Sequence, residues 1–220
     1  MKEPVMKVAI LGTGQVGIAL GKGFAAQGHT VIFGSRDPQA EHAAKAVAAV
    51  AGSRAASHAQ AAAEGEIAVL ATPWSGTANA LQLAGADKLA GKVVIDATNP
   101  LDFSGGKPQL TLGFTDSAGE TVQRILPQAR VVKAFNTIGN AHFVQPKFAD
   151  GQPDMFIAGN DAAAKRQVAG IVRAFGWREP VDAGGIEKSR LLESLAMLWI
   201  DYGASRNHWT HGFSLLGRQA

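Results

Sequence analysis

Short apolar runs alternate with alanine-rich stretches of helical spacing along most of this chain. Val8-Ala9-Ile10-Leu11, Thr30-Val31-Ile32-Phe33, Ile67-Ala68-Val69-Leu70-Ala71, Val93-Val94-Ile95-Asp96, Arg130-Val131-Val132-Lys133-Ala134-Phe135 and Met155-Phe156-Ile157-Ala158 each read as a buried strand. Helices are expected up to Gly28 and over 38–51, 58–64, 77–84, 119–126 and 162–175, with Asp161 as the N-cap of the last. Residues 54–57 read as a short edge strand, 177–181 as a final strand, and 101–119, which has no period, as a long loop. A strongly apolar helix is expected over 186–203, followed by a tail over 207–220. Strand and helix alternating at these intervals predict an α/β fold with a doubly wound, mostly parallel sheet. The expected organisation is one domain over 1–220, with 186–220 as a C-terminal helical extension packed on it.

Composition narrows the function without naming it. With 220 residues, 46 % of them hydrophobic, the chain can bury a substantial core. A net charge of +3 is mildly basic, and Lys and Arg are scattered, so no nucleic-acid surface is expected. There is no cysteine, which excludes disulfides, thiolate-bound metals and thiol nucleophiles. No apolar run reaches membrane-spanning length, and a cytoplasmic protein is expected.

The chemistry concentrates at the start. Gly12-Thr13-Gly14-Gln15-Val16-Gly17 follows the first strand directly and opens a helix that leads to a second strand, the order of a dinucleotide-binding (Rossmann, NAD(P)-binding) βαβ unit. Gly12 suits the tight turn, Gly14 the close approach of backbone to a pyrophosphate, and Gly17 the packing of helix on strand. The second strand ends in Ser35-Arg36, where an NAD site ordinarily carries a ribose-binding carboxylate. A hydroxyl and a planar guanidinium suit a 2′-phosphate, so NADP(H) is the expected cofactor. Asp37, followed by Pro38, reads as the N-cap of the next helix. Further strand exits at Ala71-Thr72-Pro73-Trp74, Thr98-Asn99-Pro100 and 136–140 converge on the same edge. The expected cofactor-binding set is therefore Gly12, Thr13, Gly14, Gln15, Val16, Gly17, Ser35, Arg36, Ala71, Thr72, Pro73, Asn99, Pro100 and Asn136.

Acid–base candidates are thin. His42 and His58 sit on alanine-rich peripheral elements and are expected to face solvent, as is His142. His208 and His211 lack a third ligand type, so no metal is expected. Asp96 reads as a residue that fixes loop backbone, and no catalytic side chain is assigned. Reduction of a ketone usually needs a placed proton donor, whereas hydride exchange between a nicotinamide and a flavin-like ring chiefly needs two stacked planar faces. Residues 191–200 carry apolar side chains on more than one face, which suggests a homodimer interface or a wall of a second-ligand pocket.

The motifs GTGQVG (12–17), FGSR (33–36), ATPW (71–74), DATNP (96–100), VVKAFNTIG (131–139) and LAMLWI (195–200) resemble those of the deazaflavin (coenzyme F420)-dependent NADP reductases. They also resemble the cytosolic oxidoreductase domain of the six-transmembrane metalloreductases. The resemblance implies hydride transfer between NADP(H) and a deazaflavin or flavin held over the nicotinamide, between residues 136–141 and the C-terminal helix. Two alternatives stand beside it: an NADPH-dependent reductase of a small carbonyl or imine, and a non-catalytic NADP sensor or partner subunit.

Overall fold

The computed structural model describes residues 5–217. In chain order the elements are β1 (Lys7–Leu11), α1 (Gln15–Ala26), β2 (Thr30–Ser35), α2 (Glu41–Ala49), β3 (Arg54–Ser57), α3 (His58–Glu64), β4 (Ile67–Leu70), α4 (Trp74–Ala84), α5 (Ala86–Leu89) and β5 (Val93–Asp96). They continue with β6 (Leu101–Asp102), β7 (Gln109–Leu110), α6 (Ala118–Ile125), β8 (Arg130–Lys133), β9 (Phe156–Gly159), α7 (Ala162–Ala174), β10 (Val181–Asp182) and α8 (Ser189–Arg206). Eight strands form one sheet in the order β10-β9-β8-β5-β4-β1-β2-β3. All neighbours are parallel except β8 and β9, so the expected doubly wound, mostly parallel sheet is present.

The pleat explains why the central strands are apolar at every position. In β1, Val8 and Ile10 pack into the layer that holds Leu20 and Phe24 of α1, Ala46 of α2 and Val168 of α7. Ala9 and Leu11 point the other way, to Ala61 of α3, Leu81 of α4 and Val122 of α6. The order reverses beside β1, between β4 and β2, which opens a crevice at the carboxyl edge where α1 and α4 begin.

Several local expectations need correction. Asp37 does not cap α2: its Oδ1 accepts from Gln39 N (2.9 Å) in a tight turn, and the helix starts only at Glu41, with Ala40 at the cap. The 101–119 segment is not all loop, because β6 and β7 pair as a small antiparallel hairpin. The last strand is confined to Val181–Asp182; Trp177 instead donates its Nε1–H to Phe143 O (2.8 Å) inside the core. His58 is buried rather than solvent-facing. Asp161 does cap α7, accepting from Ala164 N at 2.7 Å.

Helix α8 lies against α6 and is clamped by charge. Glu193 accepts from Ala118 N (2.9 Å) and Gly119 N (3.0 Å) at the start of α6, and pairs with Lys133 of β8 (2.8 Å). The segment around His211 folds back over Trp199: its Nε1–H donates to His211 O (2.8 Å), and the His211 Nε2–H returns a bond to Trp199 O (3.0 Å). The other flank of α8 leaves Leu191, Leu198 and Tyr202 exposed.

Candidate functional site

The glycine turn is built by close approach. Gly12 has φ +130°, and a Cβ there would stand 2.4 Å from the carbonyl oxygen of Ala71, so the exits of β1 and β4 can meet only across a glycine. A Cβ on Gly17 would fall 2.5 Å from Gly12 O, the helix-on-strand contact expected of this position. Gly14 differs: nothing lies within 4 Å of its would-be side chain, because it faces an open cleft. It is also the N-cap of α1, which has no side-chain cap and no acidic residue in its first turn. The first backbone N–H groups and the positive end of the helix dipole are thus free for an anion.

Two compartments share the walls Gly14, Ala71, Thr72, Pro73 and Ser75 and together run along the carboxyl edge. The first, about 540 Å³, is lined further by Gly12, Thr13, Gly34, Ser35, Arg36, His42, His58, Gly76, Asn79 and Ala80. The second, about 530 Å³, is lined by Gln15, Val16, Trp74, Ala97, Thr98, Asn99, Leu101, Asp102, Phe103 and Ser104. Of the residues expected from sequence, only Gly17, Pro100 and Asn136 stay out of these walls. They lie behind them: Asn136 Nδ2–H donates to Asn99 Oδ1 (3.0 Å), Asn99 Nδ2–H to Asn136 O (2.9 Å), and Pro100 O accepts from Thr111 N (2.8 Å).

The charges at the two ends differ. In the first compartment Arg36 is exposed and has no ion-pair or hydrogen-bond partner among the described residues. Ser35 is buried and held by its own turn, with Oγ 2.9 Å from Asp37 O and 3.2 Å from His42 Nε2. Burial, and then the nearby Arg36 guanidinium, lower the His58 imidazole below its usual range. In the second compartment Asp102 is the one titratable side chain of the lining. Hydrogen bonds from the Ser104 hydroxyl and backbone N–H lower its carboxyl below the usual range, so it is an anion and not a proton donor. Asp96 fixes backbone as expected: Oδ1 accepts from Thr98 N (2.9 Å) and Thr98 Oγ1 (2.7 Å).

The place expected for a second ligand, between residues 136–141 and the C-terminal helix, is filled within this chain by Trp199. A Cβ on Gly139 would lie 2.8 Å from its indole ring. The open apolar space is on the hairpin side instead, where Trp74 and the exposed ring of Phe103 stand. Sequence reasoning missed Phe103 and Leu101, because strands of two residues leave no alternation to read. It also missed His58, although the pairing Ser35↔Ser57 places it one residue past the strand end opposite Ser35.

A doubly wound sheet whose glycine turn opens onto a divided cleft at the topological switch point defines a dinucleotide-binding protein of the Rossmann type. Within that class, residues 7–100 match the family described as NADP oxidoreductase, coenzyme F420-dependent. The chain is 30 % identical to the F420-dependent NADP reductase of Methanocaldococcus jannaschii, over 89 % of this chain and 91 % of that one. It is likewise 30 % identical to the metalloreductase STEAP3 of Rattus norvegicus, over 87 % of this chain but 36 % of the longer relative. A crystal structure of a candidate F420-dependent NADP reductase from Arthrobacter sp. FB24 superposes with a TM-score of 0.91, at 38 % identity, over 96 % of this chain and all of that one. The chain belongs to the F420-dependent NADP reductase family of oxidoreductases.

Proposed function

We propose that this protein transfers hydride between NADP(H) and the deazaflavin coenzyme F420. The carrying observation is the divided cleft. One end offers an uncommitted guanidinium and the other offers aromatic and apolar walls with no acid able to give up a proton.

On this reading Gly12, Thr13, Gly14, Gln15, Val16 and Gly17 form the turn and helix start that hold the pyrophosphate. Ser35 and Arg36 receive the 2′-phosphate, while Ala71, Thr72 and Pro73 run beside the central ribose. Asn99, braced by Asn136 and by the Pro100 turn, faces the nicotinamide. Bound NADPH supplies the hydride. The chain's own work is to exclude water with Trp74, Leu101 and Phe103 and to hold two planar rings in register. The C-terminal extension from residue 186, described as far as residue 217, belongs to a single domain and is tied in by Glu193. A cytoplasmic homodimer is part of the same proposal, supported by the exposed stripe of Leu191, Leu198 and Tyr202 on α8.

The test is NADPH oxidation by the purified protein with F420, with flavins and with a panel of small carbonyls and imines. Turnover with F420 is expected. Turnover only with a carbonyl or imine would establish the alternative reductase, and tight NADPH binding without turnover on any acceptor would establish a sensor.

A further inference from the structure

The first compartment holds a group that neither the glycine turn nor the Ser35–Arg36 pair explains. His58 is the first residue of α3, directly after the β3 residue that pairs with Ser35. It is 5 % exposed, yet it lines the cavity beside Arg36. Its Nδ1 is fully buried and has no hydrogen-bond partner among the described residues. The ring sits over Gly34, where a Cβ would come within 2.9 Å of Nδ1, so any residue larger than glycine would displace it.

Burial of Nδ1 without a partner favours one tautomer of the neutral ring. A buried N–H with nothing to accept it is rarer and costlier than a buried unfilled lone pair. The proton of the neutral ring therefore belongs on Nε2. Ser35 is a poorer donor than its position suggests. A hydroxyl has one proton, and here it is directed at Asp37 O (2.9 Å), with His42 Nε2 3.2 Å from the same oxygen.

We propose that His58 is a specificity determinant for NADP(H), its Nε2–H donating to the 2′-phosphate opposite the Arg36 guanidinium. Gly34 serves as the seat of that ring, and Ser35 also holds the Asp37 turn and His42 in place. The inference rests on the proposed NADP(H) reading and adds a residue to it.

The probes are adenosine 2′,5′-bisphosphate and adenosine 5′-monophosphate, which differ at the 2′-phosphate, and the readout is the ratio of their dissociation constants by calorimetry. His58→Leu, which fills the space without a donor, is expected to reduce the preference for the bisphosphate about tenfold, as loss of one hydrogen bond to a charged group does. His58→Gln, which keeps a donor, should retain most of it. In the unaltered protein, the ring 15N resonances of His58 should report an Nε2–H tautomer and shift with the bisphosphate but not with the monophosphate. An unchanged ratio in His58→Leu, or His58 resonances indifferent to the bisphosphate, would overturn the role of His58. Arg36→Ala separates the two levels: if it too leaves the ratio unchanged, the 2′-phosphate reading itself fails.

Discussion

The ammonium of Lys133 lies 2.8 Å from the carboxylate of Glu193, sixty positions further along the chain, and neither side chain meets solvent. The same ammonium pairs with Asp96 Oδ2 (2.7 Å) and donates a hydrogen bond to Thr98 O (2.8 Å). One buried cation thus ties α8 to the β5 exit that lines the second compartment. Burial opposes the charge, but the two carboxylates outweigh it and hold the Lys133 pKa above its usual value. Removing one member leaves uncompensated buried charge, which costs about 3–5 kcal/mol. Lys133→Met should therefore lower the unfolding free energy by that order in urea titration. It should cost more than Glu193→Gln, which leaves Lys133 its Asp96 partner. Equal stability of Lys133→Met and the parent would show that the cluster does not hold the extension.

A second tie gives a pH signature. Arg190 of α8 donates from Nε to Glu120 of α6 at 2.8 Å. That bond, against an opposing effect of burial, holds the Glu120 carboxyl below its usual range. A depressed carboxylate contributes stability above its unfolded-state value, about 4.3 for Glu, and loses it as pH falls through the lower folded value. Stability should therefore drop on acidification below about pH 4.3, and Arg190→Met should drop less steeply over the same range. Parallel curves of urea midpoint against pH for the two proteins would refute the assignment.

How much of this could be read in advance depended on distance along the chain. The glycine turn and Ser35-Arg36 are local, and each residue's task follows from its place between a strand and a helix. His58 is not local: it belongs to the site only because β3 pairs with β2 in a register that sets Ser57 against Ser35. Lys133 and Glu193 each left a signal, a lysine inside an apolar strand and the one acid in an apolar helical stretch, but nothing in either segment says that they meet. The hairpin β6–β7 gave no signal, since Leu101–Asp102 and Gln109–Leu110 are too short to alternate. The apolar surplus of residues 191–200 was legible, and part of it lies inward: Leu192, Ala196 and Trp199 are buried, while Leu191 and Leu198 are exposed.

At the end of the cleft proposed for the adenosine 2′-phosphate, the exposed guanidinium of Arg36, unpaired among the described residues, has no structural task to lose. Arg36→Ala should unfold within about 0.5 kcal/mol of the parent. Its KM for NADPH should nevertheless rise by about tenfold to a hundredfold, with little change in the KM for NADH, since a charge-assisted bidentate bond contributes about 1.5–3 kcal/mol. Equal loss for both nucleotides would place the arginine somewhere other than at the 2′-phosphate.

At the opposite end, Phe103 is 64 % exposed on the hairpin, although it lines an otherwise apolar compartment. An exposed aromatic ring adds little to folding, so Phe103→Ala should leave the urea midpoint almost unchanged. The proposed function gives the ring work only when a planar acceptor covers it. Burying such a ring against another contributes about 1–3 kcal/mol, so the KM for F420 should rise about fivefold to a hundredfold. The KM for NADPH should change much less, because the proposed function puts the dinucleotide phosphates on the glycine turn and Arg36 rather than on the hairpin. Separate saturation curves for the two substrates measure both effects. An F420 KM indifferent to Phe103→Ala would move the acceptor out of this compartment. A loss shared equally by NADPH would mean that the hairpin closes over the dinucleotide itself.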